Sequence, residues 1–285
     1  MGKYYQSTRN LFNPQSREPH TLSRSKFELF GECPRCFYMN VRYGLGRPSM
    51  PAFTLNSAVD VLLKNEFDLL RQAGESHELM KQYHIAAVPL NHPDLSKWRG
   101  ETPETRYKGA SALHQPTNFL LTGMVDDVWQ SDSGELIIVD YKSTSTVKEI
   151  SLEDEYKQAY KRQMEFYQYL FRLLGFPVSN TGYFVFANAT KNRPKFDGRL
   201  EFDMSIIAHQ GDDSWIDAQL LATKECLLSD KIPSPGGNCE HCDYLKKIVE
   251  EEYPLKTNCS SNWLQACVKA ARSCVVKKGR LAPLP

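Results

Sequence analysis

No run of apolar residues in this chain approaches the about 18 that a membrane span needs. The N-terminus, Met1 to Asn10, lacks an apolar secretory core, so the chain is expected to be cytoplasmic, with no membrane partner. A charge excess is missing as well: 35 Lys and Arg stand against 34 Asp and Glu, a net charge of +1. Nucleic-acid binding therefore cannot be read from bulk charge and has to rest on a local basic groove. Nor is the composition extreme. Hydrophobic residues at 41% and charged residues at 24% of 285 are ordinary for a globular protein of one large domain or two small ones. A sizeable core can form at this length. Eight cysteines are present, and in a reducing compartment they suggest metal or cluster ligands before disulfides.

The stretch richest in chemistry is Gly123 to Ser145, G-M-V-D-D-V-W-Q-S-D-S-G-E-L-I-I-V-D-Y-K-S-T-S. It reads as a hairpin: a strand over Phe119 to Gln130, a turn at Ser131 to Gly134, and a second strand over Glu135 to Ser145. Side chains alternate along a strand, so Asp140 and Lys142 share one face and Tyr141 takes the other. Pairing across the turn brings Asp126 near Asp140. Two carboxylates on rigid strands suit Mg²⁺ or Mn²⁺, because hard cations take oxygen ligands. A lysine beside them can hold the attacking water or offset charge on a phosphate oxygen. A solvated D-x-K ion pair at a strand end is the plainer reading of the same residues.

Around this hairpin, Met1 to His20 is polar and aperiodic, and reads as a flexible or loosely docked arm. Ser23 can cap a short helix carrying Phe27 and Phe30, which stops at Cys33-Pro34. Arg42 to Phe53 is a loop by composition, and Leu55 to Gln72 an amphipathic helix with Asn56 as a possible cap. Tyr83 to Leu90 could be a strand, and Asn91 to Pro116 reads as a surface loop or a channel-shaping insertion. Leu152 to Leu174 is a helix with one buried face, on which Gln163 and Tyr167 are neighbours. Asn180 to Ala189 is apolar enough for a central strand, Lys191 to Lys195 is a basic turn, and Arg199 to Met204 is a further strand. Asp213 to Ser229 is another helix. The order predicts an α/β fold with a central mixed β-sheet flanked by helices. Two C-x-x-C pairs, Cys33/Cys36 and Cys239/Cys242, could supply four thiolates to a tetrahedral Zn²⁺.

Three pieces resemble the PD-(D/E)XK nuclease superfamily, and within it the RecB-like branch that includes the CRISPR-adaptation exonucleases. They are G-M-V-D-D-V (Gly123 to Val128), I-V-D-Y-K-S (Ile138 to Ser143) and Q-M-E-F-Y (Gln163 to Tyr167), and the resemblance spans about Leu22 to Tyr244. It implies a restriction-endonuclease-like core over residues 21–253, between the arm of residues 1–20 and an extension, 254–285, of unknown role. It implies a metal-dependent DNA nuclease, an exonuclease in particular. Asp126, Asp140, Lys142, Gln163 and Tyr167 would form its site, with the Tyr141 carbonyl as a backbone ligand. The family's early helix carries a further ligand, commonly histidine; Asp60 fills that place here, with Glu66 as substitute. The cysteine blocks resemble those that hold a [4Fe–4S] cluster, but the third C-terminal cysteine is missing and Cys36 is extra. Zn²⁺ and the cluster both remain open, and Cys259 could serve as a late ligand. DNA, single-stranded or at duplex ends, is the implied partner, with protein partners in repair, recombination or defence. The alternatives are a non-catalytic nucleic-acid-binding or scaffold module on the same fold, an RNA-directed nuclease, and a zinc-centred structural protein.

Overall fold

The structure, a computed structural model, describes residues 6–48 and 53–252. Its elements run β1 (His20–Ser23), α1 (Arg24–Glu32), α2 (Pro34–Tyr43), α3 (Thr54–Ala73), α4 (Glu78–Gln82), β2 (Ala87–Pro89), α5 (Leu95–Trp98), β3 (Ala110–His114), β4 (Phe119–Gly123), β5 (Asp127–Ser131), β6 (Leu136–Thr144), α6 (Gln158–Leu173), β7 (Thr181–Ala189), β8 (Phe202–Gln210), α7 (Ile216–Leu228) and α8 (Glu240–Glu252). The chain divides into residues 1–238 and residues 239–285; of the second unit, Cys239 and α8 are described. The expected late ligand Cys259 and the extension 254–285 lie outside the described residues.

The main sheet has the order β2-β5-β6-β7-β8. Strands β6 and β7 are parallel and the other three pairings antiparallel. Parallel neighbours need a crossover, and α6 supplies it. The central strand β6 is apolar over Leu136–Val139 because helices cover both of its faces. Ile138 meets the α6 side, in one core with Met164, Phe166 and Leu170. Ile137, Val139 and Tyr141 meet the α3 side, in a second core with Leu63, Phe67 and Trp129. Burying side chains such as Leu63 or Phe67 contributes about 1.5–3 kcal/mol each, which holds α3 on the sheet. Along α1 and α2, Cys33 ends one helix and Pro34 opens the next, where a proline's missing N–H costs nothing.

Several expectations need correction. The strand predicted over Phe119 to Gln130 is two strands. β4 joins β1 and β3 in a separate three-stranded sheet, and the chain turns at Met124–Asp126 before β5 begins. The Tyr167 ring sits against Gly123 so closely that a Cβ there would lie 2.6 Å from Tyr167 Cε1. Asn91 to Pro116 is not a surface loop: it holds α5 and β3, and Trp98 packs edge-on against Phe171 at 4.9 Å. Of Tyr83 to Leu90 only Ala87–Pro89 is strand, because His84 turns the chain at φ 55°. The last strand starts at Phe202 and runs on to Gln210. Asn56 does not cap α3; its amide donates to the Ser143 carbonyl at 3.3 Å. Of the two alternatives for the arm, the part at Phe12 takes the docked one: Phe12 is buried and its N–H donates to Val41 O at 2.8 Å.

Candidate active site

Two strand ends and two helices converge on one spot. In the β5–β6 ladder Asp127 pairs with Val139, so Asp126 stands one step further, opposite Asp140. With the ladder ended, the free Tyr141 N–H donates to Asp126 Oδ2 at 2.9 Å, which fixes that carboxylate. Asp140 is only 1% exposed. Its Oδ1 accepts a hydrogen bond from Gln163 Nε2 at 2.7 Å. Its Oδ2 is buried and paired with Lys142 Nζ, with the Arg24 charge adding a weaker pull. Lys142 also lies over the Tyr160 ring, 4.6 Å from its centre. Burial pushes the Asp140 carboxyl up to about 6; Lys142 opposes this and the Asp126 charge adds to it.

Helix α6 sets Gln163 and Tyr167 one turn apart on this side. Tyr167 is buried and bonds Arg24, the first residue of α1. Burial, opposed by Arg24 and aided by Asp126 and Asp140, pushes its hydroxyl up to about 12, so it stays a neutral donor. Helix α3 brings Asp60 and Lys64. Lys64 Nζ lies 2.9 Å from Asp60 Oδ2 and 3.6 Å from Asp126 Oδ1, so an ammonium bridges the two acids. Burial and then the Asp126 charge raise the Asp60 pKa against the pull of Lys64. Burial lowers that of Lys64, but Asp126 and Asp60 together outweigh it and the net direction is up. Glu66 is not at this spot; it pairs with His77 at 2.8 Å. The basic turn is partly neutralised locally, Arg193 by Glu201 and Lys195 by Asp197.

A second polar layer lies behind the strand. Asp127 is fully buried, and its Oδ1 accepts from Arg71 Nη2 at 2.5 Å and Arg99 Nη2 at 3.0 Å. Tyr141 Oη donates to Asp127 Oδ2 at 2.7 Å. Arg99 also grips both Asp68 oxygens, at 2.9 and 3.0 Å, and donates from Nε to the Asp126 carbonyl at 3.0 Å. The backbone of Asp126 is thus tied to a buried network of two arginines and two aspartates. Sequence reasoning missed Arg24, Lys64, Arg71, Arg99 and Asp127. The double Asp126-Asp127 was a usable signal, since alternation sends the second acid to the opposite face.

The donors fit a hard divalent cation. Asp126 and Asp140 offer carboxylate oxygens from rigid strands, and the buried Asp140 Oδ2 is held by the Lys142 ammonium beside it. Elsewhere, Cys33 and Cys36 lie in the first unit, and Cys239 and Cys242 in the second. The first three residues are buried and Cys242 is half-buried. Cys33 Sγ accepts from the N–H groups of Cys36 at 3.4 Å and Gly236 at 3.2 Å. Among the described residues no helix is long and apolar enough to cross a membrane.

No curated protein matches the chain. Residues 21–246, most of its length and all of the site, match the family model of the PD-(D/E)XK nuclease superfamily, whose members generally hydrolyse nucleic acids with divalent metals. The chain belongs to the PD-(D/E)XK nuclease superfamily.

Proposed function

We propose that this protein is a metal-dependent DNA nuclease of the RecB-like branch that degrades DNA from an end. The observation that carries the reading is the Asp140 carboxylate, buried between Gln163 and Lys142 and facing Asp126 across the hairpin. Asp126, Asp140 and the Tyr141 carbonyl would hold Mg²⁺ or Mn²⁺. When bound, the cation lowers the pKa of a water and offsets charge on the phosphate. Asp60 is the third acid of the set and keeps Lys64 against Asp126. Lys142 orients the attacking water and meets charge growing on a phosphate oxygen. Gln163 fixes the orientation of Asp140, and the Tyr167 hydroxyl with Arg24 would steady the backbone of the substrate strand. Repair, recombination and defence are the processes such an enzyme would serve, with protein partners drawn from them.

The two C-x-x-C pairs, Cys33/Cys36 and Cys239/Cys242, would hold Zn²⁺ or a [4Fe–4S] cluster, and either would tie residues far apart in sequence. Iron, sulfide and zinc content of the purified protein, with its visible absorbance, decides between them.

The test is cleavage of end-labelled single- and double-stranded DNA with Mg²⁺ or Mn²⁺, wild type beside Lys142→Ala. Cleavage by wild type alone, in a ladder from one end, is the expected result. Equal cleavage by both proteins refutes the site. Binding without cleavage by folded wild type, with its cysteine metal intact, makes the chain a non-catalytic module instead. Faster cutting of RNA than of DNA of the same sequence would overturn the choice of substrate.

A further inference from the structure

The last strand of the main sheet, β8, pairs with β7 on one side, and its other side is the edge of the sheet. Two bonds just beyond its ends show which of its backbone groups β7 takes up. Thr190 stands opposite Glu201 and donates to its carbonyl at 2.9 Å, and Gly211 stands opposite Asn180 and donates to its carbonyl at 2.8 Å. In an antiparallel ladder, pairs that exchange both bonds alternate with pairs whose N–H and C=O point away. Both bonds fall on odd-numbered residues of this segment, so Asp203, Ser205, Ile207 and His209 bond β7. Phe202, Met204, Ile206, Ala208 and Gln210 direct their N–H and C=O outward. Among the described residues no hydrogen bond reaches these outward backbone groups.

A bare edge is a template for another strand, and proteins ordinarily guard it with lysine, proline, a bulge or short length. The opposite edge, β2, is guarded in this way: it has three residues and ends in Pro89. β8 is not. It has nine residues, its register with β7 runs unbroken, and it holds neither proline nor lysine. Its sequence, F-D-M-S-I-I-A-H-Q, also suits its own reverse. Turned antiparallel about Ile206, the strand sets Phe202 against Gln210, Met204 against Ala208, and Ile206 against itself. All of these are outward residues, so each pair can exchange two backbone bonds. Between them Asp203 faces His209 and Ser205 faces Ile207. The strand's one acid thus meets its one imidazole, the large Met204 meets the small Ala208, and no like charges stand opposite each other.

We propose that β8 docks a second copy of this chain, the two strands pairing antiparallel about Ile206 so that two five-stranded sheets join into one. The two-fold axis then stands perpendicular to the joined sheet, and the α6 sides of both copies face the same way. The ladder sets the spacing of the two candidate sites. Asp140 is in register with Phe184, and Phe184 with Ile207. Ile207 faces Ser205 of the second copy, whose row runs back through Phe186 to Lys142. The two carboxylate sites therefore lie five strand spacings apart, about 24 Å along the sheet, on one face. The pairing stands on backbone geometry and side-chain complementarity and does not depend on the nuclease reading.

Sedimentation velocity of the full chain over about 1–100 µM tests the pairing, with Met204→Pro and Ala208→Pro beside wild type. Each proline removes an outward N–H and leaves the bonds to β7 in place. Wild type is expected to pass from monomer to dimer in that range, and each proline to weaken the dimer about tenfold or more while circular dichroism shows a folded chain. A second readout needs no proline and reports the register. In the double variant Met204→Cys, Ala208→Cys, each new thiol stands against its counterpart on the second copy, so mild oxidation should give a linked dimer on a non-reducing gel. Within one chain the two positions lie about 13 Å apart, too far to bridge. Either single variant should link no more than wild type, whose eight cysteines are the background. A wild type that stays monomeric throughout, a dimer that both prolines leave intact, or a double variant that links no better than the single ones overturns the proposal.

Discussion

Replacing Asp140 by asparagine should make the cation-free protein more stable at neutral pH while destroying its chemistry. The Asp140 carboxyl titrates near 6 instead of its ordinary 3.8, because burial disfavours the charge by more than Lys142 repays. That displacement is worth about 3 kcal/mol in favour of the neutral form. The sign follows from proton binding. Between the ordinary and the raised pKa the folded chain holds a proton that the unfolded chain has released, so stability falls as pH rises through that window. Above about pH 6 the whole penalty is present, and below about pH 4 it is gone. Asparagine has nearly the same shape and no charge. Asp140→Asn should therefore gain about 2–3 kcal/mol at about pH 8, and nothing near pH 3. For a chain of this size the gain appears as about 2–4 °C in Tm per kcal/mol. Paired thermal and urea melts at the two pH values measure it, in buffer without divalent cations and without chelator, so that the cysteine centre is left alone. The opposing case is a plain buried ion pair, whose loss costs about 3–5 kcal/mol by stranding Lys142. A variant less stable than wild type at pH 8 would refute the reasoning. Added Mn²⁺ should raise the Tm of wild type, as a ligand of the folded state does, and leave Asp140→Asn nearly unmoved.

Four further outcomes are expected. Lys142→Ala should lower the single-turnover cleavage rate about 100-fold or more, and should also lower the Tm at neutral pH, because it leaves the buried Asp140 carboxylate without its cation. Cleavage should fall away below about pH 6 as Asp140 takes up its proton, seen as a limb of the pH–rate profile that higher Mn²⁺ moves to lower pH. Gly123→Ala places a methyl group 2.6 Å from a Tyr167 ring carbon and should cost about 1–3 kcal/mol, with part recovered in the double variant that adds Tyr167→Leu. Asp127→Ala leaves Arg71 and Arg99 buried without their shared anion and should cost about 3–5 kcal/mol in a urea melt, more than any exposed ion pair here.

The fold was legible where local pattern and burial agree. The apolar run of β6, the buried face of α6 and the central strand β7 lie close to where hydrophobic period puts them. The failures share a cause: they were decided by contacts between distant segments. Phe119 to Gln130 looks like one strand because nothing local says that the Tyr167 ring will pack on Gly123 and that two sheets will share the segment. Asn91 to Pro116 looks like a surface loop because its polar residues outnumber Trp98. Yet Trp98 and Arg99 both turn inward, one to Phe171 and the other to Asp68 and Asp127.

The same alternation that made half of the candidate site readable hid the other half. Asp140 and Lys142 point to the α6 side, where Gln163 waits, and each is a familiar element of a hydrolytic site. Tyr141 points to the α3 side, where no motif marks its partners. There its hydroxyl holds Asp127, Asp127 holds Arg99, and Arg99 holds the carbonyl of Asp126. The Tyr141 N–H meanwhile fixes the Asp126 carboxylate itself. One residue between the two motif positions therefore clamps the facing aspartate from both ends, by its backbone on one side of the sheet and through a buried chain of charges on the other. A cation site needs carboxylates that do not move when the cation leaves, and this strand supplies that rigidity from the face opposite the chemistry. The near-neutral net charge of the chain agrees with such a design. The cations that matter are few and already matched, Lys64 to two acids and Lys142 to one, and none of them announces itself in a sum over 285 residues.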